Sequence, residues 1–189
     1  LDLTNISSLD YLYCDQNQLK SLDISNNISL KEFSCGWNAL TELDVSANTA
    51  LKYIGCNGNQ ITSMDVSKNK FLNSLSCIEN QLNTLYVSNN DSLHWLVCNK
   101  NFITNLNISN NKALSHLECD FNQLSTIDLT SNPKLYVLYC SGNQLTSLDV
   151  SSNQKLIVLN CAGNKLTSLD ISKNVNLVEL NCRANLLTE

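Results

Sequence analysis

LYVLYCSGNQLTSLDVSSNQK, residues 135–155, is one of nine near-copies that fill the chain. Its Cys140 belongs to a series at 14, 35, 56, 77, 98, 119, 140, 161 and 182, a constant spacing of 21 residues in a chain of 189. A fixed short period of this kind marks a solenoid, in which each repeat is one coil stacked on the last. The unit reads L-x-x-L-x-C-x-x-N followed by L-x-x-L-D-V-S-x-N, two half-turns of similar grammar. In each half the apolar-x-apolar segment alternates as a half-buried strand does. Neither half has room for a helix of ten or more residues. The expected coil is a short strand, a turn, a second extended segment and another turn. The fold class is therefore a repeat solenoid, mostly β, weakly curved and without long helices, organised as one domain over residues 1–189.

Working outward from that coil, the inward columns can be named. One stack runs from Leu9 through Leu30 and Leu51 to Leu177, and the next from Leu12 through Phe33 and Ile54 to Leu180. Leu22, Leu43, Met64 and their equivalents line the opposite side, beside Ile24, Val45 and Val66. A thin coil cannot bury this surface alone, so burial has to come from stacking. Strand spacing sets the rise per coil, giving a rod about 40 Å long. Two asparagine ladders, Asn17 to Asn185 and Asn27 to Asn174, fall at the turns. There an amide can both donate to and accept from backbone groups the turn leaves unpaired. The second ladder fails only at Ile6, where fraying is expected.

The phrase L-x-x-L-x-C-x-x-N-x-L, present in every coil, resembles the signature segment of leucine-rich repeats. The 21-residue unit with its nested L-x-x-L-D-V-S-x-N is similar to the short bacterial class called IRREKO repeats, met in secreted or surface proteins. The unit departs from the proline-bearing halves of secreted-effector repeats and from the 22-residue, proline-containing unit of internalins. The resemblance implies an extracellular or bacterial cell-surface location. It also places a ligand on the sheet formed by the first half of each coil.

Nine cysteines invite a disulfide or zinc reading. Each, however, occupies a slot that leucine-rich repeats give to an inward aliphatic residue. In-register neighbours about 4.8 Å apart leave their strands in parallel, which makes the disulfide dihedral hard to reach. No C-x-x-C pair or histidine partner supplies zinc spacing. The expectation is a ladder of reduced, buried thiols acting as small hydrophobes, with no metal and no cofactor.

Comparing repeats within the chain separates two faces. On the second half the outward positions hardly change: Thr-Ser, then Asp23, Asp44, Asp65, Asp128, Asp149 and Asp170, interrupted by Tyr86 and Asn107, then Ser or Thr. Stacked like charges repel, so these carboxylates are expected to accept hydrogen bonds from nearby hydroxyl or N–H groups. A calcium ladder is the weaker reading, since no glycine-rich binding loop accompanies them. The first half differs at every outward position. The candidate ligand-binding face is Tyr11, Tyr13, Trp37, Tyr53, Trp95, His116, Glu118, Phe121 and Tyr139. Exposed aromatics on a rigid sheet supply large contact area at low entropic cost; the plainer reading is that aromatics are good strand residues.

Nothing resembles an active site. His116 beside Glu118 reads as a surface pair, and His94 lies in an adjacent column. There is no G-x-S-x-G elbow, P-loop, G-x-G-x-x-G or H-E-x-x-H. A net charge of -5 argues against a nucleic-acid partner, and no apolar run is long enough for a membrane span. Three functions compete. The first is a non-catalytic recognition module for a protein or carbohydrate, and the second a stalk or spacer without a ligand. The third, ice binding, is weakened by Lys20, Asn83 and Ser125 in the threonine column. Neither end carries a polar capping segment, so the chain reads as an excerpt of a longer array, and end-to-end self-association is expected.

Overall fold

The computed structural model describes residues 1–188. We number the unit from its first leucine, so coil 1 begins at Leu9 and coil 9 at Leu177. Position 4 of each coil is then the middle of a three-residue strand: β1 is Tyr11–Tyr13, β2 Glu32–Ser34 and β3 Tyr53–Gly55. β4 is Ser74–Ser76, β5 Trp95–Val97 and β6 His116–Glu118. β7 is Val137–Tyr139, β8 Val158–Asn160 and β9 Glu179–Asn181. They form one parallel sheet in sequence order, and no helix occurs among the described residues. Register never slips: Tyr11 faces Glu32, Glu32 faces Tyr53, and so on. The main-chain ladder runs past the strand, with Cys14 N–H donating to Ser34 O at 2.8 Å and Gln16 N–H to Gly36 O at 2.8 Å.

The second half of the coil is held differently. Its only bridge among the described residues joins Asp65 and Tyr86. Elsewhere the wall closes by turns within the coil, such as Asn48 N–H to Val45 O at 3.1 Å. The Ile6 turn keeps the same form, with Ile6 N–H donating to Leu3 O at 3.1 Å. The turn where fraying is expected is thus formed. Losing the asparagine costs a side-chain rung and leaves the turn intact.

Positions 1, 4, 6, 11, 14 and 16 fill the interior. Stacking does the burying: Leu159 is 0% exposed between two coils, whereas Leu180, the same residue in the same slot of coil 9, is 41% exposed. All nine cysteines are free thiols, and those from Cys14 to Cys161 are buried. Each acts as a small apolar filler with a weak donor, as when Cys77 Sγ reaches Val97 O at 3.7 Å. Burial pushes these thiols up, Cys98 to about 12, where the thiolate needed for exchange chemistry is absent at neutral pH.

The two asparagine ladders are not equivalent. Asn59 donates to Cys35 O and Cys56 O, both at 3.1 Å, and its carbonyl accepts Leu40 N–H at 3.0 Å. Asn48 donates to Ile24 O and Asn27 O, both at 2.9 Å, but its Oδ1 has no partner. The same holds from Asn27 to Asn174. The N–H groups of that turn are already taken within their own coil, so only carbonyls stay open to the amide. The expectation that both ladders donate and accept holds for the first alone.

Candidate functional site

Nine sequence positions pointed to a binding face, and the structure sets them in three outward columns of the strand side. Position 3 carries Tyr11, Tyr53, Trp95 and His116; position 5 carries Tyr13, Glu118 and Tyr139; position 8 carries Trp37 and Phe121. They fall into three groups along the rod, the last two sharing His116 and Glu118.

In coils 1 to 3 the phenols are tied to neighbours. Tyr13 donates its hydroxyl to Glu32. Tyr53 is only partly exposed, because its ring folds over Gly55: a Cβ built there would lie 2.7 Å from the Tyr53 hydroxyl. Tyr11 is 53% exposed, and Tyr13 remains 59% exposed although its hydroxyl is engaged.

Position 8 has a backbone requirement that the sequence reading missed. In all nine coils it takes the left-handed region, from φ 52° at Phe121 to 64° at Gly163. Glycine is comfortable there and a bulky residue is not. Where Trp37 or Phe121 occupies the slot, the next coil has glycine. A Cβ on Gly58 would overlap the Trp37 indole, and one on Gly142 would lie 2.6 Å from Phe121 Cδ1. Each ring therefore lies flat on the glycine of the following coil and keeps its other face in solvent. The signal was legible as the pairs Trp37–Gly58 and Phe121–Gly142, both spaced 21 residues apart.

Coils 5 and 6 hold a packed cluster. The Trp95 and His116 rings stack at 3.5 Å between centroids and 5° between planes, and Tyr136 meets the imidazole edge-on at 6.4 Å. His116 Nε2 pairs with Glu118 Oε1 at 2.7 Å, while its buried Nδ1 has no partner. The sequence reading made this a surface pair; the stacked indole instead leaves His116 only 6% exposed. Glu118 Oε2 also accepts from Asn99 at 2.9 Å. The hydrogen bond from His116, more than that from Asn99, holds the Glu118 carboxyl below its ordinary range against the opposing effect of burial. His94 stands apart, its Nδ1 near Asn73 Nδ2 at 3.1 Å and Ser92 O at 2.7 Å.

The third group lines an open trough of about 1040 Å³ across coils 6 to 9. His116, Glu118, Asp120 and Phe121 form its coil 6 end and Arg183 its coil 9 end. Between them the floor is low because position 8 is Gly142, Gly163 and Ala184 and position 7 is Ser141 and Ala162. Asp120 Oδ1 accepts Ser141 N–H at 2.5 Å and Ser141 Oγ at 2.7 Å. Burial nevertheless raises the Asp120 carboxyl above its ordinary range. Outside the trough lining, position 2 turns apolar in coils 7 to 9: Tyr136, Ile157 and Val178 are 36%, 42% and 85% exposed. In the first six coils that column reads Asp10, Lys31, Lys52, Asn73, His94 and Ser115. The change is readable in the sequence, but position 2 lies outside the columns that carry the candidate face.

On the opposite wall the aspartates bond as expected. Asp128 Oδ1 takes the Thr130 hydroxyl at 2.6 Å and N–H at 2.9 Å, which hold its carboxyl below the usual range.

Neither a protein-family model nor a curated sequence matches the chain. Solved structures do. The functional domain of InlJ from Listeria monocytogenes, which includes a cysteine ladder, has a TM-score of 0.97 and 38% identity, covering 100% of this chain and 43% of that one. An internalin from the same species, InlF, has a TM-score of 0.89 and 26% identity, covering 94% of this chain and 55% of that one. A leucine-rich repeat protein of Leptospira interrogans shares the fold, with a TM-score of 0.80 at 22% identity over 97% of this chain and 57% of that one. The chain is a leucine-rich repeat solenoid. It spans about half the length of the two Listeria chains. The unit length and proline content that separate these repeats from internalins in sequence do not separate the backbones, since InlF superposes over 94% of the chain. No helix is long and apolar enough to cross a membrane among the described residues.

Proposed function

We propose that the solenoid is a non-catalytic recognition module that binds a protein or a glycan through its strand face, on an extracellular or surface-attached bacterial protein. One observation carries the reading. Tyr11, Tyr13, Trp37, Trp95 and Phe121 stay between 40% and 59% exposed on the one face whose residues change from coil to coil. Leaving such rings in water forgoes the free energy of burying them, and exposed aromatics on a rigid scaffold supply contact area at low entropic cost. The solved neighbours support the fold on which this rests, and the resemblance to surface repeats supports the location.

The test is a screen of arrayed glycans and candidate surface proteins against wild type, a Tyr11→Ala/Tyr13→Ala variant and a Phe121→Gly variant, with thermal melts of each. These variants are preferred to Trp95→Ala, which would uncover His116, and to Trp37→Ala, which keeps the left-handed strain while losing the contact with Gly58. A ligand held by wild type and lost by an equally stable variant supports the module. Silence from a well-folded wild type favours the spacer.

A further inference from the structure

Asp120 and Phe121 are consecutive, at positions 7 and 8 of coil 6, and both side chains reach across to coil 7. The Asp120 carboxylate rests on Ser141, accepting its N–H at 2.5 Å and its hydroxyl at 2.7 Å through Oδ1 alone. The Phe121 ring lies on the next residue, Gly142, and both groups line the trough. A carboxylate with an unspent Oδ2 therefore stands beside a flat ring with an unspent face. No other coil combines the two. Asp15 holds Ser34 and Gly36 in the same way but is followed by Gln16, and Trp37 lies on Gly58 but is preceded by Gly36. Phe121 keeps its place at φ 52°, where Gly142 and Gly163 in the same column show what that backbone prefers. The surroundings supply no counter-charge. Glu118 adds a second negative charge to the trough, with its oxygens on His116 and Asn99. Lys100, next to Phe121 in the column, turns back to Glu79. Arg183 is three coil rises away, about 14 Å, well beyond a Debye length of about 8 Å at physiological ionic strength.

We infer that this point receives an arginine side chain of a partner protein, its guanidinium stacked on the free face of Phe121 and hydrogen-bonded to Asp120 Oδ2. The inference rests on the recognition reading and narrows it to a protein partner and one anchoring residue. Charge decides between partner classes. A docked ligand strips water from Asp120, which is already partly buried, and a carboxylate covered without a counter-ion is costly. A cation offsets that cost. A neutral sugar can stack on the Phe121 or Tyr139 ring and offer hydroxyls to Asp120, but it leaves the charge as it was, and an acidic sugar adds to it. Shape then decides between cations. A guanidinium is planar, so it can lie on a ring and still direct N–H donors sideways to a carboxylate, whereas an ammonium is a compact, strongly hydrated point charge. The low floor leaves room for the arm, since Gly142, Ala162 and Gly163 carry little or no side chain. The left-handed backbone at Phe121 has a reason in this picture: it sets the ring beside Asp120 and outside the core.

The experiment pans a displayed library of random linear dodecapeptides against the intact chain. Enriched peptides are then titrated against wild type, Asp120→Asn, Phe121→Gly and Asp15→Asn. Asp120→Asn keeps an oxygen for Ser141 while removing the charge, Phe121→Gly relieves the left-handed backbone, and melts confirm that each variant is folded. The expected result is a set of peptides that share an arginine. Their affinity falls about ten-fold with Asp120→Asn, the loss of one charge-assisted contact, and falls with Phe121→Gly as well. Exchanging the arginine of the peptide for lysine, which keeps the charge and loses the plane, weakens binding comparably. Asp15→Asn, which removes a like charge where no ring adjoins it, leaves binding unchanged. Peptides that bind equally well with lysine, or that ignore Asp120→Asn and Phe121→Gly, overturn the arginine site and leave the recognition reading standing. No enriched peptide from a folded chain also overturns it; a glycan or surface protein still held then keeps the recognition reading, and silence from those removes both.

Discussion

Gly142→Ala and Gly163→Ala place the same methyl group on nearly the same backbone, at φ 63° and 64°, with different neighbours. At Gly163 the new Cβ meets only Gly142 N at 3.5 Å and Cα at 3.6 Å, which is ordinary contact. Its cost is the left-handed penalty alone, about 1 kcal/mol. At Gly142 the Cβ would come within 2.6 Å of Phe121 Cδ1, so the ring has to leave the glycine it rests on. Phe121 is 58% exposed and can swing into water, which limits the additional loss to about 1 kcal/mol, at the lower end for overpacking. Urea unfolding followed by tryptophan fluorescence should therefore rank wild type above Gly163→Ala above Gly142→Ala. The assignment to the ring is made in a Phe121→Gly background, which relieves strain at φ 52° and removes the obstacle. There Gly142→Ala should cost no more than Gly163→Ala. Equal costs for the two alanines with Phe121 present would show that the ring does not lie on the glycine, and the flat aromatic surfaces described here would go with it.

Three further outcomes follow from the same geometry. Ellman's reagent added to the native chain should label the partly exposed Cys182 and leave the eight buried thiols until urea is added; rapid labelling of several thiols without unfolding would contradict the filler role. The two carboxylates of the trough should have opposite effects on pH dependence. Glu118, lowered in the fold, stabilises above its unfolded pKa and loses that contribution as pH falls through its folded value, so Glu118→Gln should flatten the acid side of the stability curve. Asp120, raised by burial, contributes most below its unfolded pKa and loses that contribution as pH rises through its folded value, so Asp120→Asn should flatten that opposite slope; slopes of the same sign in both variants would refute the assignment. Asn101→Ala should destabilise more than Asn111→Ala, by about 1 kcal/mol or more in urea titrations. The first strands Leu82 N–H along with carbonyls, and the second also removes an amide oxygen that had no partner; equal losses would mean the orphan oxygens are satisfied.

Much of this architecture was legible because the repeat lets each position be read several times. The inward columns, the strand position and the buried thiols follow from period and polarity alone. What period cannot reveal is local geometry that any residue type can occupy. Position 8 reads Gln16, Trp37, Gly58, Glu79 and Lys100 in its first five coils, and nothing in that mixture announces a left-handed backbone. Only the glycine after each flat ring hints at it. The His116–Glu118 pair was misread as superficial because its burial depends on Trp95, a residue 21 positions away whose rotamer is invisible in sequence. The unequal asparagine ladders were hidden for a related reason: both are invariant, and they differ only in which backbone groups their turns leave open.

That last difference explains why one wall varies and the other does not. Along the strands the main chain pairs with itself, coil to coil, whatever the outward side chains at positions 3 and 5 are, as in Cys35 N–H to Gly55 O at 2.8 Å; only at position 7 do side chains such as Asp15, Asn57, Asn99 and Asp120 take an N–H of the next coil. On the opposite wall side chains do the pairing. Ser46 N–H needs Asp44 Oδ1 at 2.8 Å, and Val45 O needs Asn69 Nδ2 at 3.0 Å. Replacing those residues leaves backbone groups unmet, so the chemistry of the wall fixes its sequence. Tyr86 shows the alternative, since the one backbone bridge of that wall appears where an aspartate is missing. Freedom to vary is thus a property of the strand face before it is a sign of use. Use shows in what fills the freedom. Position 18 varies too, and it holds Asn26, Ala47, Lys68, Asn89, Asn110, Ser131, Ser152 and Lys173, without one aromatic. The strand face holds both tryptophans, one of them at position 8 against a left-handed backbone that disfavours it. Structural tolerance alone does not account for a ring placed where the backbone disfavours it, and that placement is what favours a recognition surface over a spacer.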